Sequence, residues 1–288
     1  MLALAVLCAC NSDDKPAKRP RVGKTLPTAE STTMSSSSTT QDPPAPVTVS
    51  ELVEGGRHLR LETKHGAVHV WTPKGYEPRR AETILYVHGY YVHVDEAWRA
   101  YKLESQFASS AINAMFIACE APIDAKEPVS WDSIAELLDT VERGIADKRP
   151  RRRIVARGHS GAHRTLRGWL DEPNIDTVVL VDAAYGEIDE YKTWILADDK
   201  RRLIDIGDDT RAWTDKLHAD LPETVVLDGF PSLEDGIPRE AARARILYIK
   251  SSLGHFPLVT SGWALPMVLR TLRAKRLVRE PLAELLAR

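Results

Sequence analysis

The 288-residue chain lacks most of what would tie it to nucleic acid, to a disulfide framework or to a bilayer span. Its formal net charge is only −2, so there is no broad field to attract a polyanion. The densest basic run, Lys148-Arg149-Pro150-Arg151-Arg152-Arg153, fits the end of a helix, where positive charge suits the helix dipole. Cysteine is scarce, with Cys8, Cys10 and Cys119 only. Cys119 lies in an apolar run and reads as a buried core residue. The apolar run over residues 1–10 is too short to cross a bilayer. No nucleotide-binding glycine loop, haem motif or pyridoxal signature occurs, so no cofactor is expected. His88, His93 and Asp95 are spaced like no metal-ligand signature, so no metal is expected either. What is present in quantity is apolar residue, 43% of the chain, enough for a large packed core.

That material is unevenly placed. Residues 1–10, Met-Leu-Ala-Leu-Ala-Val-Leu-Cys-Ala-Cys, have the length of the apolar region of a signal peptide. Their end, Leu7-Cys8-Ala9-Cys10, resembles the bacterial lipobox, in which the final cysteine is lipidated and becomes the mature N-terminus. No basic residues precede the run, which a start upstream of Met1 would account for. The resemblance implies a lipid on Cys10 and a place in the bacterial cell envelope, at the outer membrane or on the periplasmic face. Asn11, rather than an acidic residue, leans toward the outer membrane. Loss of Cys8 and lipidation of Cys10 would leave Cys119 alone, with no intramolecular disulfide possible.

Residues 11–50 then read as a disordered tether. Ten of the fifteen residues from Thr28 to Asp42 are Ser or Thr, Pro43, Pro44 and Pro46 follow, and no apolar periodicity is visible. About 40 such residues span roughly 35 Å root-mean-square, which would hold a folded domain just off a membrane. That domain is expected over 51–288.

Within it, short apolar runs alternate with amphipathic helical patterns. His58–Thr63 and Ala67–Thr72 alternate around Lys64-His65-Gly66 and predict a β-hairpin. Glu82–His88, Ala114–Cys119, Arg153–Arg157, Thr177–Val181, Arg202–Ile206 and Arg245–Lys250 predict strands. Helical spacing appears over Asp95–Ser110, Asp132–Ile145, Gly161–Leu170, Ile188–Leu196 and Thr210–Leu221, and from about Gly262, where Pro266 disturbs it. Strands alternating with helices predict an α/β fold with a mostly parallel central sheet and helices on both faces.

The segment carrying most information is Arg153–Ala162. An apolar run breaks at Gly158, Ser160 follows, and a helical pattern starts at once. Small-x-Ser-x-small between a strand and a helix is the layout of a nucleophile elbow. The turn is so tight that large side chains two positions either side of the serine would collide, hence Gly158 and Ala162. The helix start beyond it supplies backbone N–H groups.

Chain order adds weight. The elbow follows the fifth expected strand, His88-Gly89-Tyr90 follows the third, carboxylates follow the sixth and seventh, and His255 follows the last. This order of Ser, acid, His, with a His-Gly-x loop, resembles the α/β-hydrolase fold over roughly Leu52–Arg288. The resemblance implies Ser160 as nucleophile, His255 as its base, and the N–H groups of Tyr90 and Gly161 as the oxyanion hole. The acid stays open among three. Asp182 ends the apolar strand Val178-Val179-Leu180-Val181, where a carboxylate must be paired or exposed. Asp208 and Asp209 occupy the more usual place in this fold, but Asp-Asp-Thr there is also a natural helix N-cap.

Other polar residues have plainer readings. His159 packs near the elbow, His163 is helix filler or surface, and Glu120 caps or pairs. Tyr90, Tyr91 and Trp131 are candidate pocket walls, although Trp131 equally suits the core. His58, His65, His69 and His218 are expected at the surface. Only about 20 residues separate the sixth and seventh strands, so no large lid is expected. Together these readings point to a membrane-tethered serine hydrolase cleaving an ester through an acyl-enzyme, its substrate a small molecule or a cell-envelope acyl compound. Alternatives are an inactive binding lipoprotein of the same fold, or an acyltransferase or amidase using the same residues.

Overall fold

A computed structural model of the chain describes residues 47–145, 148–186 and 188–287. The signal-peptide segment, the lipidation site Cys10 and the tether up to residue 46 lie outside the described residues. No helix among the described residues is long and apolar enough to cross a membrane.

Strands β1 (Val47–Val53), β2 (Gly56–Thr63) and β3 (Gly66–Thr72) form an antiparallel meander. The remaining strands are β4 (Glu82–Val87), β5 (Ala114–Cys119), β6 (Ile154–His159), β7 (Ile175–Val181), β8 (Arg202–Gly207), β9 (Thr224–Leu227) and β10 (Ile246–Lys250). They extend the meander into one sheet of order β1-β2-β3-β5-β4-β6-β7-β8-β10-β9. β3 joins β5 antiparallel, and every pairing from β5 to β9 is parallel. β4 through β8 are buried on both faces, which is why they read as near-continuous apolar runs.

Alternate residues of these strands serve two cores. Leu85, Val87, Ala156, Val178 and Leu180 face α3 (Ile134–Gly144), α4 (His163–Gly168) and α5 (Ile188–Leu196). Ile84, Tyr86, Val155, Val179 and Val181 face α1 (Val94–Ala100), α2 (Leu103–Ser110), α8 (Pro257–Thr260) and α9 (Ala264–Leu269). Period-2 alternation thus sorts each strand between two helical layers. Cys119 is buried and free, as expected. Helices α6 (Arg211–Ala219), α7 (Arg239–Arg243) and α10 (Leu282–Leu286) complete the described residues. Among the described residues between β7 and β8, α5 is the one helix.

Several expectations change. The single helix over Asp95–Ser110 is two helices, because Lys102 takes a left-handed conformation (φ 49°) that turns the chain. Apolar spacing does not register one such residue. Val47–Ser50, assigned to the tether, belongs to edge strand β1 and pairs with β2. The short edge strand β9 was not anticipated; its four residues are only partly covered. Pro266 sits in the first turn of α9, where its missing N–H is one of the unbonded donors anyway.

Candidate active site

The elbow forms as its sequence requires. β6 ends at His159, Ser160–Ala162 make a 3₁₀ turn, and α4 follows directly. Ser160 has φ 54°, in the left-handed region that a non-glycine residue seldom occupies. A Cβ on Gly158 would lie 2.6 Å from the Ala162 Cβ and 2.7 Å from Leu166 Cδ1, so only glycine fits. Gly89, in the loop after β4, is equally constrained: its Cβ would sit 2.8 Å from the Ser160 Cβ. Gly161 packs against the Tyr90 ring, which a Cβ would meet at 2.4 Å. The last two contacts bring the His88-Gly89-Tyr90 loop and the serine turn together.

His255 follows β10. Gly254, with φ 93°, donates its N–H to Asp208 Oδ2 at 2.7 Å and sets the loop that presents the ring. The Nδ1 of His255 lies 2.6 Å from Asp182 Oδ2. A carboxylate oxygen can only accept, so this contact places the proton on Nδ1 and leaves Nε2 as the basic atom. Asp182 stands at the end of β7 with φ 48° and is fully buried. Its Oδ1 accepts from the Asp208 N–H at 2.9 Å, the Thr210 N–H at 2.9 Å and the Thr210 hydroxyl at 2.7 Å. Its Oδ2 also accepts from the Asp209 N–H at 3.2 Å. Burial by itself pushes this carboxyl up, but the His255, Asp208 and Thr210 bonds outweigh it and hold the group well below the usual carboxylate range.

Of the three carboxylates left open by the sequence, only Asp182 lies within hydrogen-bonding distance of His255. Asp208 is engaged with Gly254 instead, and exposed Asp209 stands 3.8 Å from the His255 Nδ1. The loop after β8 therefore offers His255 no carboxylate at hydrogen-bonding distance; its N–H groups wrap Asp182 instead. Ligand atoms of Asp182, Asp209 and His255 lie within 4.8 Å of one another. The Asp182 oxygens, however, are already taken by His255, Thr210 and backbone N–H groups, so the donor set is committed to hydrogen bonds rather than open to a cation.

A cavity of about 520 Å³ opens over Ser160. Its wall includes Tyr90, Tyr91, Gly161, Tyr185, His255 and Phe256. Tyr185 shares the cavity wall with Ser160, and burial together with the Asp182 charge pushes its phenol up to about 12. Buried His159 packs its ring 4.5 Å from that of His255 and contacts the His255 carbonyl through Nε2 at 3.1 Å. Burial, then the His255 and Arg157 charges, lowers it to about 3, so it stays neutral.

Other expectations are corrected here. Trp131 is not a pocket wall: it is 1% exposed, in the core, and its carbonyl accepts from the Trp169 indole at 2.8 Å. His163 lines the cavity rather than filling a surface. His58, His69 and His218 are buried, not at the surface, and His65 is half-buried. Hairpin position says which face a residue takes, not whether another element covers it, and α1 covers this one. Glu120 pairs as expected, with His88 Nε2 at 2.9 Å and His93 Nδ1 at 3.3 Å. Sequence reasoning missed Tyr185, Tyr101, Arg164 and Phe256 as pocket residues. For Arg164 a signal existed, its place one turn beyond the serine; the others reach the cavity only through the fold.

No family model and no curated protein matches the chain. Solved structures do. A serine-to-alanine mutant of the feruloyl esterase module from Clostridium thermocellum, complexed with sinapinate, aligns at TM-score 0.51 and 10% identity, over 80% of this chain and 98% of that one. A structure named FAE aligns at TM-score 0.51 and 10% identity, over 76% and 90%. The S-formylglutathione hydrolase FrmB from Staphylococcus aureus aligns at TM-score 0.49 and 13% identity, over 75% and 98%. The chain has the α/β-hydrolase fold.

Proposed function

We propose that the protein is a serine hydrolase that cleaves a carboxylic ester through an acyl-enzyme. The observation that carries this reading is the His255–Asp182 contact of 2.6 Å, with His255 and Ser160 on the wall of one cavity. In this reading the Ser160 hydroxyl attacks the ester carbonyl carbon and its proton passes to His255 Nε2. Asp182 steadies the imidazolium through the Nδ1–H. The N–H groups of Tyr90 and Gly161 receive the oxyanion, worth about 3–4 kcal/mol to the transition state for such a donor. Collapse breaks the ester C–O bond, and His255 returns the proton to the leaving alkoxide. Water, deprotonated by His255, then releases the acid and restores Ser160. The aromatic wall supports an apolar or aryl acyl group, in keeping with the feruloyl esterase named among the structural neighbours.

The test is labelling by a fluorophosphonate probe, comparing the native chain with Ser160→Ala and His255→Ala. Labelling of the native protein, abolished in the first variant and strongly slowed in the second, is the expected result. Equal labelling of all three refutes the nucleophile assignment. No labelling at all favours a binding protein of the same fold.

The proposal includes a lipid anchor at Cys10 on the bacterial envelope, supported by the sequence of residues 1–10 and the Ser/Thr/Pro composition that follows. Labelled palmitate should enter the native chain and not Cys10→Ala; equal incorporation removes the anchor from the reading.

A further inference from the structure

The cavity wall is almost free of charge. Beside its aromatic residues stand His159 and His163, and burial first, then Arg167 and Arg164, lowers His163 to about 4, so it too is neutral near pH 7. Among the described residues, no Asp, Glu or Lys contributes to the lining. Arg164 is the exception. Its guanidinium donates from Nη1 to the Asp124 carbonyl at 3.3 Å and from Nη2 to the Glu127 carbonyl at 2.9 Å. Both acceptors are neutral. No carboxylate is within ion-pair distance of it among the described residues, whereas Arg60 and Arg149 elsewhere each hold one. The two carbonyls fix the guanidinium without cancelling its charge. A cation held this way against apolar walls, where screening is weaker than in water, is a site for an anion.

Arg164 follows Ser160 by four residues, near the start of α4, and both line the same cavity. A group held by Arg164 therefore shares that cavity with the carbonyl that Ser160 attacks. Resting on the ester-hydrolase reading, we propose that the natural ester carries an anionic group, a carboxylate or similar oxyanion, on its acyl part, and that Arg164 binds it.

The test compares mono-p-nitrophenyl succinate with p-nitrophenyl butyrate, two esters that differ mainly in the terminal charge of the acyl chain. The native protein is expected to favour the succinate in kcat/KM by tenfold or more, a preference that weakens as salt is added. Arg164→Gln should reduce the succinate-to-butyrate ratio at least tenfold, and Arg164→Lys should keep the larger part of it. A ratio unchanged in Arg164→Gln overturns the proposal, as does a native ratio near one. If neither ester is cleaved by the native chain, the hydrolase reading fails, and calorimetric titration with glutarate decides the anion site alone. Binding lost in Arg164→Gln supports it; equal binding in both proteins, or none to the native protein, overturns it.

Discussion

Among the described residues, two close histidine–aspartate contacts stand on opposite halves of the sheet, while a third, His218–Asp205, is longer at 3.3 Å. On the parallel half, His255 Nδ1 meets Asp182 at 2.6 Å. On the antiparallel half, His69 Nε2 meets Asp95 at 2.8 Å. By distance and residue type they are alike. They differ in what the second ring nitrogen and the ring faces do. His69 uses its other nitrogen for His58 at 2.9 Å, and both rings stack on Trp98 at 4.6 and 4.7 Å. The Asp95 carboxylate is at the same time held by the Arg60 fork, at 2.7 Å through each oxygen. Every polar atom is thereby consumed, and burial, with the neighbouring His58, lowers His69 to about 4. His255 keeps Nε2 unspent on the Asp182 side and shares a cavity wall with Ser160. Its side chain is 17% exposed, while its aspartate is 0% exposed. The reverse holds for the other pair, with histidine at 5% and aspartate at 40%. The His255–Asp182 pair buries the carboxylate and leaves the imidazole partly open, the His69–Asp95 pair does the reverse, and the His218–Asp205 pair buries both.

The comparison can be broken by substitution. Asp182→Asn should lower esterase kcat/KM by about 10⁴-fold, since the amide no longer holds the Nδ1–H tautomer. Steady-state kinetics on a p-nitrophenyl ester measure this. If Asp208→Asn is the damaging variant and Asp182→Asn is mild, the acid has been misassigned. Gly89→Ala comes next, because its methyl group would lie 2.8 Å from the Ser160 Cβ and displace the serine or the His88-Gly89-Tyr90 loop. A misplacement of that kind costs on the order of 10²-fold in activity, and full activity would show that the loop can move aside.

Acid should act on both halves at once. His69, His159 and His163 are held at about 4, 3 and 4 chiefly by burial, against about 6.5 in an unfolded chain. Between those values the unfolded state binds more protons than the folded state, so stability rises with pH across the window and falls on acidification through it. The depressed Asp182 works in a lower window, its contribution complete above about pH 4 and lost below. The melting temperature should therefore drop by at least about 5 °C between pH 7 and pH 4.5. A flat profile would mean that these histidines are not held neutral.

The smallest effect sharpens the contrast most. Asp95→Asn removes a half-exposed partner of Arg60 and His69, and should cost about 1 kcal/mol, or about 2–4 °C in melting temperature. Esterase activity in this variant should stay within about twofold, because neither His69 nor Asp95 is among the residues lining the cavity. A large loss of activity would make the antiparallel half part of the catalytic machinery.

Much of this was legible in advance, and the reason is locality. Gly158, Ser160 and Ala162 make an elbow because backbone sterics act over five residues. The hairpin over β2 and β3 and the parallel core strands follow from alternation and from unbroken apolar runs. The helices followed from spacing, except where the single left-handed residue Lys102 broke one in two. Tertiary structure alone set Asp182, rather than Asp208, against His255. That choice depends on which loop end reaches His255 across 73 residues of chain, and on the Asp208, Asp209 and Thr210 N–H groups turning toward the other carboxylate. It also buried His58 and His69 under α1, and left Arg164 on a cavity wall with only backbone carbonyls as partners among the described residues. Local sequence sets backbone conformation, but burial and charge pairing are properties of what packs from a distance.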